Sequence, residues 1–202
     1  MTALAVPAVE RVCGAIVDDS YAIEADFLPS PVVGALAEEA RRRDAAGEFR
    51  PAGIGRGGQR AVRGDIRGDR ILWLEENTRV AAERAALDAL ETLRGALNRR
   101  AYLGLFAFEG HYAVYPPGAF YRRHRDRFRD DDARVVSCAL YLNATWRDAD
   151  GGALRIYLDD GSRDVAPRGG TLVCFLAERY EHEVLPATRE RLALTGWFRR
   201  RG

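Results

Sequence analysis

Two imidazoles and one carboxylate stand out among the side chains of this sequence that can do chemistry. His124 and Asp126 are separated by a single residue, and His182 lies far downstream in the run EHEVL. On an extended segment, residues two apart project to the same side. Two histidines and a carboxylate fixed on a rigid sheet form the facial triad of non-haem Fe(II) oxygenases, which leaves the opposite coordination positions open for a bidentate co-substrate and O2. The same ligand types also serve zinc, and a His-x-Asp spacing is common by chance, so the surroundings must decide.

The last β-rich run, RLALTGWF, carries the strongest of those surroundings. Alternation places Arg191, Ala193, Thr195 and Trp197 on one face and Leu192, Leu194 and Phe198 on the other. The leucine face suits a covering helix, which turns the arginine, the threonine hydroxyl and the indole inward. A buried guanidinium is costly without a partner. Either an internal Asp or Glu satisfies it, or a dicarboxylate held bidentately does. Tyr141, in SCALYLN, is placed to add a phenol hydrogen bond to the same anion. A zinc hydrolase would need a general base beside the triad, and no candidate is visible.

The elements that must position these residues follow from patterning. Ser30 caps a helix with Pro31 at its first position, running through VVGALAEEARRR and stopping near Gly47. A second helix spans about Thr78 to Arg100, with Val80, Leu87, Leu90, Leu93 and Leu97 at helical spacing. The opening VCGAIVDD reads as a short strand, GIGRGGQRAVRG as a mobile loop or distorted hairpin, and DIRGDRILWLE as a tight turn with a strand or short helix. From Leu105 the pattern changes to β-runs: FEGHYAVY, RVVSCALYL, ALRIYL, GTLVCFL, EHEVL and RLALTGWF. The run Arg129 to Asp132 reads as a solvated loop. Helices followed by many short strands predict a single α+β domain over residues 1–202, with a helical flank over about 1–104 and a jelly roll over about 105–200.

Composition narrows the chemistry. The chain has 202 residues, 47% hydrophobic and 30% charged, with a net charge of +1, so no global field steers it to nucleic acid or membrane. All 31 basic residues are arginine, which excludes Schiff-base, P-loop and lysine-base chemistry. Cys13, Cys138 and Cys174 are odd in number and set among apolar neighbours, which reads as buried thiols in a reducing compartment. No run approaches the ~20 apolar residues of a membrane span, and no secretory signal is evident. The expected location is cytoplasmic.

The segments DIRGDRILWLE, YPPGAFYRRHRD, RVVSCALYLN, GGALRIY and HEVLPATRERLALTGW resemble those of the 2-oxoglutarate-dependent prolyl hydroxylases. The similarity is to the oxygen-sensing type that modifies hypoxia-inducible factor and to its bacterial relatives, over roughly residues 10 to 200. The resemblance implies a double-stranded β-helix, the cupin-like jelly roll, with Fe(II) on His124, Asp126 and His182. It implies that Arg191 pairs with the distal carboxylate of 2-oxoglutarate, assisted by Tyr141 and Tyr115, with Thr195, Leu154 and Val184 lining that pocket. It assigns Arg67, Asp69, Tyr121, Arg134 and Trp197 to the substrate side.

The activity so implied is hydroxylation of a prolyl residue in a protein or peptide, consuming O2 and 2-oxoglutarate and releasing succinate and CO2, with ascorbate as an auxiliary. Related halogenases lack the carboxylate ligand, so Asp126 favours hydroxylation. An exposed proline in a flexible loop, for instance of a translation factor, is the expected acceptor. Two departures from the family bear on substrate: the loop from Gly53 to Gly64 is short, and His111, on the face of Tyr115, replaces an apolar pocket residue and reads as a supporting residue. Free proline or another small molecule is therefore an alternative substrate, and a non-catalytic cupin-like metal-binding module an alternative role. Nucleic-acid demethylation is disfavoured because Trp197 stands where those dioxygenases place a second arginine.

Overall fold

A computed structural model of the chain describes residues 5–54, 61–126 and 133–201. Its helices fall in the first half: α1 (Ala5–Asp19), α2 (Ser30–Ala45) and α3 (Ala81–Ala101). The strands are β1 (Tyr21–Glu24), β2 (Arg50–Pro51), β3 (Arg70–Trp73), β4 (Ala107–Tyr115), β5 (Tyr121–His124), β6 (Arg134–Tyr141), β7 (Leu154–Leu158), β8 (Gly161–Val165), β9 (Leu172–Leu176), β10 (His182–Val184) and β11 (Arg191–Arg199). The expected solvated loop at Arg129 to Asp132, and residues 55–60 of the glycine-rich loop, lie outside the described residues. The ends of that loop meet in an antiparallel bridge between Ile54 and Ala61.

The sequence reading needs three local corrections. VCGAIVDD is the second half of α1, not a strand. Ala8, Val9, Val12, Cys13 and Ile16 are all buried at three- and four-residue spacing, and the stripe begins before the run that suggested a strand. In α2 the N-cap is Pro29, at φ −59 and ψ 140, and Ser30 makes no capping bond. α3 begins at Ala81 rather than Thr78. The Thr78 hydroxyl instead donates to the buried Glu83 carboxylate and accepts the Val80 N–H, holding the chain extended before the helix.

Two antiparallel sheets face one another. The major sheet runs β1-β9-β6-β11-β4-β3-β2 and the minor one β5-β10-β7-β8, the double-stranded β-helix expected, with helices to one side. The first hundred residues are not only helical: β1, β2 and β3 extend the major sheet at both ends. β5 and β8 were invisible to hydrophobic patterning because YRRH and GSRDV carry almost no apolar residues, and β8 is largely exposed.

Strand alternation splits the core in two. Leu192, Leu194 and Phe198 of β11 point outward with Leu140 and Leu172 and pack beneath Leu90, Leu93 and Leu97 of α3. Each such side chain contributes about 1.5–3 kcal/mol on burial, and truncating the fully buried Leu93 to alanine costs about 2–5 kcal/mol. The inward residues Ala113, Tyr115, Tyr141 and Ala193 meet Leu154, Ile156 and Val184 of the minor sheet. A cavity of about 590 Å³ opens between the sheets on this inner side.

Candidate metal centre and anion pocket

The minor sheet brings the two histidines together. β5 and β10 pair with His124 directly opposite His182, and the ring centroids are 4.2 Å apart. Asp126 follows just beyond β5, where its two oxygens stand 3.6 Å from His124 Nε2 and 3.6 Å from His182 Nε2. All three donor atoms lie within 4.8 Å of one another. The spacing expected from sequence therefore yields a triad, although Asp126 lies past the strand end.

The donor chemistry fits a divalent transition metal. The Asp126 carboxyl is buried, which alone would raise its pKa. His182, His124 and the Ser137 hydroxyl outweigh that effect and hold it well below the usual carboxylate range. Burial pushes the His182 imidazole down to about 4 despite the neighbouring carboxylate, so at neutral pH it is an uncharged ligand. His124 Nδ1 lies 2.7 Å from the Arg122 carbonyl. A carbonyl only accepts, so Nδ1 carries a proton and Nε2 is the nitrogen turned toward Asp126. One carboxylate oxygen and two imidazole nitrogens facing one cavity match a site for Fe(II).

The far end of the cavity is an anion pocket. Arg191, 3% exposed, opens β11 opposite Tyr115 of β4. Its guanidinium lies 5.1 Å from the ring centroids of both Tyr115 and Tyr141. Nε donates to the Gly152 carbonyl at 2.9 Å. Among the described residues no carboxylate pairs with it, so the internal-partner alternative is not realised there. The Tyr141 hydroxyl is fully buried and finds no hydrogen-bond acceptor among the described residues. Burial pushes its pKa up to about 12, partly offset by Arg191, so it remains a donor at neutral pH. A buried guanidinium beside an unsatisfied phenol calls for a carboxylate. Leu154, Val184, Thr195 and Tyr115 line the cavity as expected. Thr195, however, donates its hydroxyl to the Cys138 carbonyl at 2.9 Å.

Toward the mouth, the residues assigned to substrate fall into two groups. Arg67 lies 4.3 Å over the Tyr121 ring, which stacks on His124 at 3.6 Å. Asp69 does not line the cavity: its carboxylate is buried and holds Arg67 through bonds of 2.7 and 2.5 Å. Burial works against the charge on Arg67, and Asp69 more than compensates, keeping it protonated. On the other side, Arg134 stacks 3.4 Å over Trp197. The indole N–H of Trp197 is buried without an acceptor among the described residues. His111 is buried between Trp73 and Trp197, at centroid distances of 4.7 and 5.5 Å, and lines the cavity.

Three contributors were missed from sequence. Ser137 donates to Asp126 Oδ2 at 2.7 Å from β6, and the alternation that placed Tyr141 inward also places Ser137 there. Phe175 of β9 packs 4.7 Å from His182. Gly152, at φ 70, presents its carbonyl to Arg191. The last has no periodic signature, because it lies in a turn.

A β-helix with a His-Asp-His triad at one end of a cavity and a buried arginine at the other fits the class of iron oxygenases that take an acidic co-substrate. The 2OG-Fe(II) oxygenase superfamily matches residues 110–199. A crystal structure of a Pseudomonas putida prolyl-4-hydroxylase superposes with a TM-score of 0.88 and 51% identity, covering 96% of this chain and 100% of that one. A Trichoplax adhaerens prolyl hydroxylase, in complex with a hypoxia inducible factor oxygen degradation domain peptide fragment, superposes with a TM-score of 0.86 and 26% identity, over 95% of this chain and 88% of that one. The human protein Egl nine homolog 1 is 34% identical over 145 residues, 66% of this chain and 33% of that protein. The chain thus spans about a third of that relative's length. The chain belongs to the prolyl hydroxylase branch of the 2OG-Fe(II) oxygenase superfamily.

Proposed function

We propose that this chain is an Fe(II)- and 2-oxoglutarate-dependent dioxygenase that hydroxylates a prolyl residue in a protein or peptide. One observation carries the reading: His124, Asp126 and His182 share a cavity with Arg191, and neither its guanidinium nor the adjoining Tyr141 phenol finds a carboxylate among the described residues. His124, Asp126 and His182 would hold the metal, which with 2-oxoglutarate and O2 supplies the oxidising power while the co-substrate is converted to succinate and CO2.

The protein's own share is positioning. Arg191 binds the far carboxylate and Tyr141 donates its phenol proton to it, which fixes the reach of the co-substrate toward the triad. Ser137 orients the Asp126 carboxylate from the opposite sheet. Leu154, Val184 and Phe175 keep the interior apolar and exclude water. The acceptor enters past Arg67 and Tyr121 on one side and Arg134 and Trp197 on the other. Two stacked cation–aromatic walls suit an extended segment with a proline inserted between them. That shape supports an exposed proline in a flexible loop as the acceptor, and a translation factor is the carrier to try first.

The test compares proline-containing peptides with free proline in the presence of Fe(II), 2-oxoglutarate and ascorbate. Peptide should gain one oxygen in step with succinate release, and Asp126→Ala should abolish both. Oxygenation of free proline alone would replace the peptide reading. Metal binding without 2-oxoglutarate binding would leave a non-catalytic module.

A further inference from the structure

On the helix-covered face of the major sheet, in the core that includes Leu90, Leu93 and Leu97, two thiols meet. Cys138 of β6 and Cys174 of β9 are directly opposite in the strand register, and their Sγ atoms are 3.2 Å apart. Both are buried and free. The backbone around them fixes the type of pair. The Tyr141 N–H donates to the Thr171 carbonyl and the Ala177 N–H to the Val135 carbonyl, so those opposing positions are hydrogen-bonded pairs. Alternation then makes Cys138–Cys174 a non-hydrogen-bonded pair, the kind in which opposing side chains stand closest. Its Cα separation of about 4.5 Å falls within the span a disulfide requires. The sulfurs need to close only to about 2.05 Å, a movement that side-chain rotation supplies without shifting either strand.

We propose that Cys138 and Cys174 form a thiol–disulfide site, in which a two-electron oxidant of the hydroperoxide class converts the pair into a cross-strand disulfide. In the first step one sulfur takes the terminal oxygen of the peroxide, giving a sulfenic acid and one water from hydrogen peroxide, or one alcohol from an alkyl hydroperoxide. In the second, the neighbouring sulfur attacks it, the S–S bond forms, and the hydroxyl leaves with the remaining thiol proton as water. Sulfur is oxidised by two electrons overall and the peroxide oxygen is reduced. Each thiol thereby resolves the other's first oxidation product before it advances to the irreversible acids. Burial keeps the Cys138 thiol protonated, so the reaction is slow and proceeds through transient opening of the sheet. Ser137 and Tyr141 project from the opposite face of β6, so the disulfide leaves the metal centre standing.

Cys13 of α1 lies in the same core and is the competing partner. The test therefore uses the full chain free of metal, which makes it independent of the enzymatic reading and avoids iron-catalysed oxidation. Hydrogen peroxide should remove two hydrogens per chain, and digestion should release a single linked pair of peptides containing Cys138 and Cys174. The thermal midpoint should rise by about 5–10 °C, since a long loop is closed, and dithiothreitol should reverse both changes. Cys13→Ala should behave identically. In Cys174→Ala, or Cys174→Val if the smaller residue impairs folding, Cys138 should instead accumulate two or three oxygens that dithiothreitol does not remove. A link through Cys13, or the same irreversible oxygenation in the unaltered chain, would overturn the proposal. So would absence of any disulfide after an exposure long enough to oxygenate Cys138 in Cys174→Ala.

Discussion

Replacing Arg191 with methionine removes the guanidinium while keeping most of the bulk of its stem. The side chain is 3% exposed, and an unmet carboxylate in that pocket would be shielded from water. Breaking one side of a buried charge pair costs about 3–5 kcal/mol, and every 1.4 kcal/mol is roughly tenfold in affinity. The dissociation constant for 2-oxoglutarate should therefore rise by at least about a hundredfold. The variant also forfeits the Nε bond to the Gly152 carbonyl, about 0.5–1.5 kcal/mol of fold stability, too little to unfold the domain. Calorimetric titration of 2-oxoglutarate into Mn(II)-loaded protein without O2 measures the first effect, and thermal unfolding controls for the second. Mn(II) affinity itself should be unchanged, because Arg191 is not a ligand. A loss of less than tenfold in a folded variant would refute the assignment of Arg191 as the carboxylate anchor.

Ser137→Ala should lower metal affinity about 10- to 100-fold without removing a ligand, because Asp126 loses its orienting bond; equal Mn(II) titrations of variant and parent would contradict this. In the metal-free protein, His182 takes up its proton at about 4 when folded but near its ordinary value of 6.5 when unfolded. The unfolded chain thus binds the proton first, and stability present above pH 6.5 is lost as pH falls toward 4, by about 3 kcal/mol from this group. Urea unfolding across that range should show the loss, and His182→Phe should flatten it. Gly152→Ala should cost about 1–3 kcal/mol and weaken 2-oxoglutarate binding. Its φ is 70, and a Cβ there would lie 2.9 Å from Ala187 Cβ, 3.1 Å from Trp146 and 3.4 Å from Arg191 Cδ; an unaltered thermal midpoint would count against the strain.

Much of the site was legible because strands encode facing directly. Once RLALTGWF is read as alternating, Arg191 and Trp197 must share a face, and both line the cavity. The metal triad was legible from residue type, since only three histidines exist and two of them join Asp126. What escaped did so for physical reasons. β5 presents polar residues at the rim, so its pairing with β10 rather than hydrophobicity defines it. α1 hid its stripe behind two valines and a cysteine that also suit a strand. Asp69 looked like a contact residue in sequence, yet its carboxylate is buried and engaged by Arg67, a matter of burial that spacing alone does not reveal.

The major sheet separates two duties by parity. In β11, Leu192, Leu194 and Phe198 anchor the helices, while Arg191, Ala193, Thr195 and Trp197 face the cavity. Drift in substrate preference can therefore accumulate at every second position while the interleaved positions keep the domain folded. A saturation scan along this strand, scored separately for abundance and for turnover, should give two profiles offset by one residue. The inner profile would map which substitutions retune the acceptor, with the scaffold left as it is.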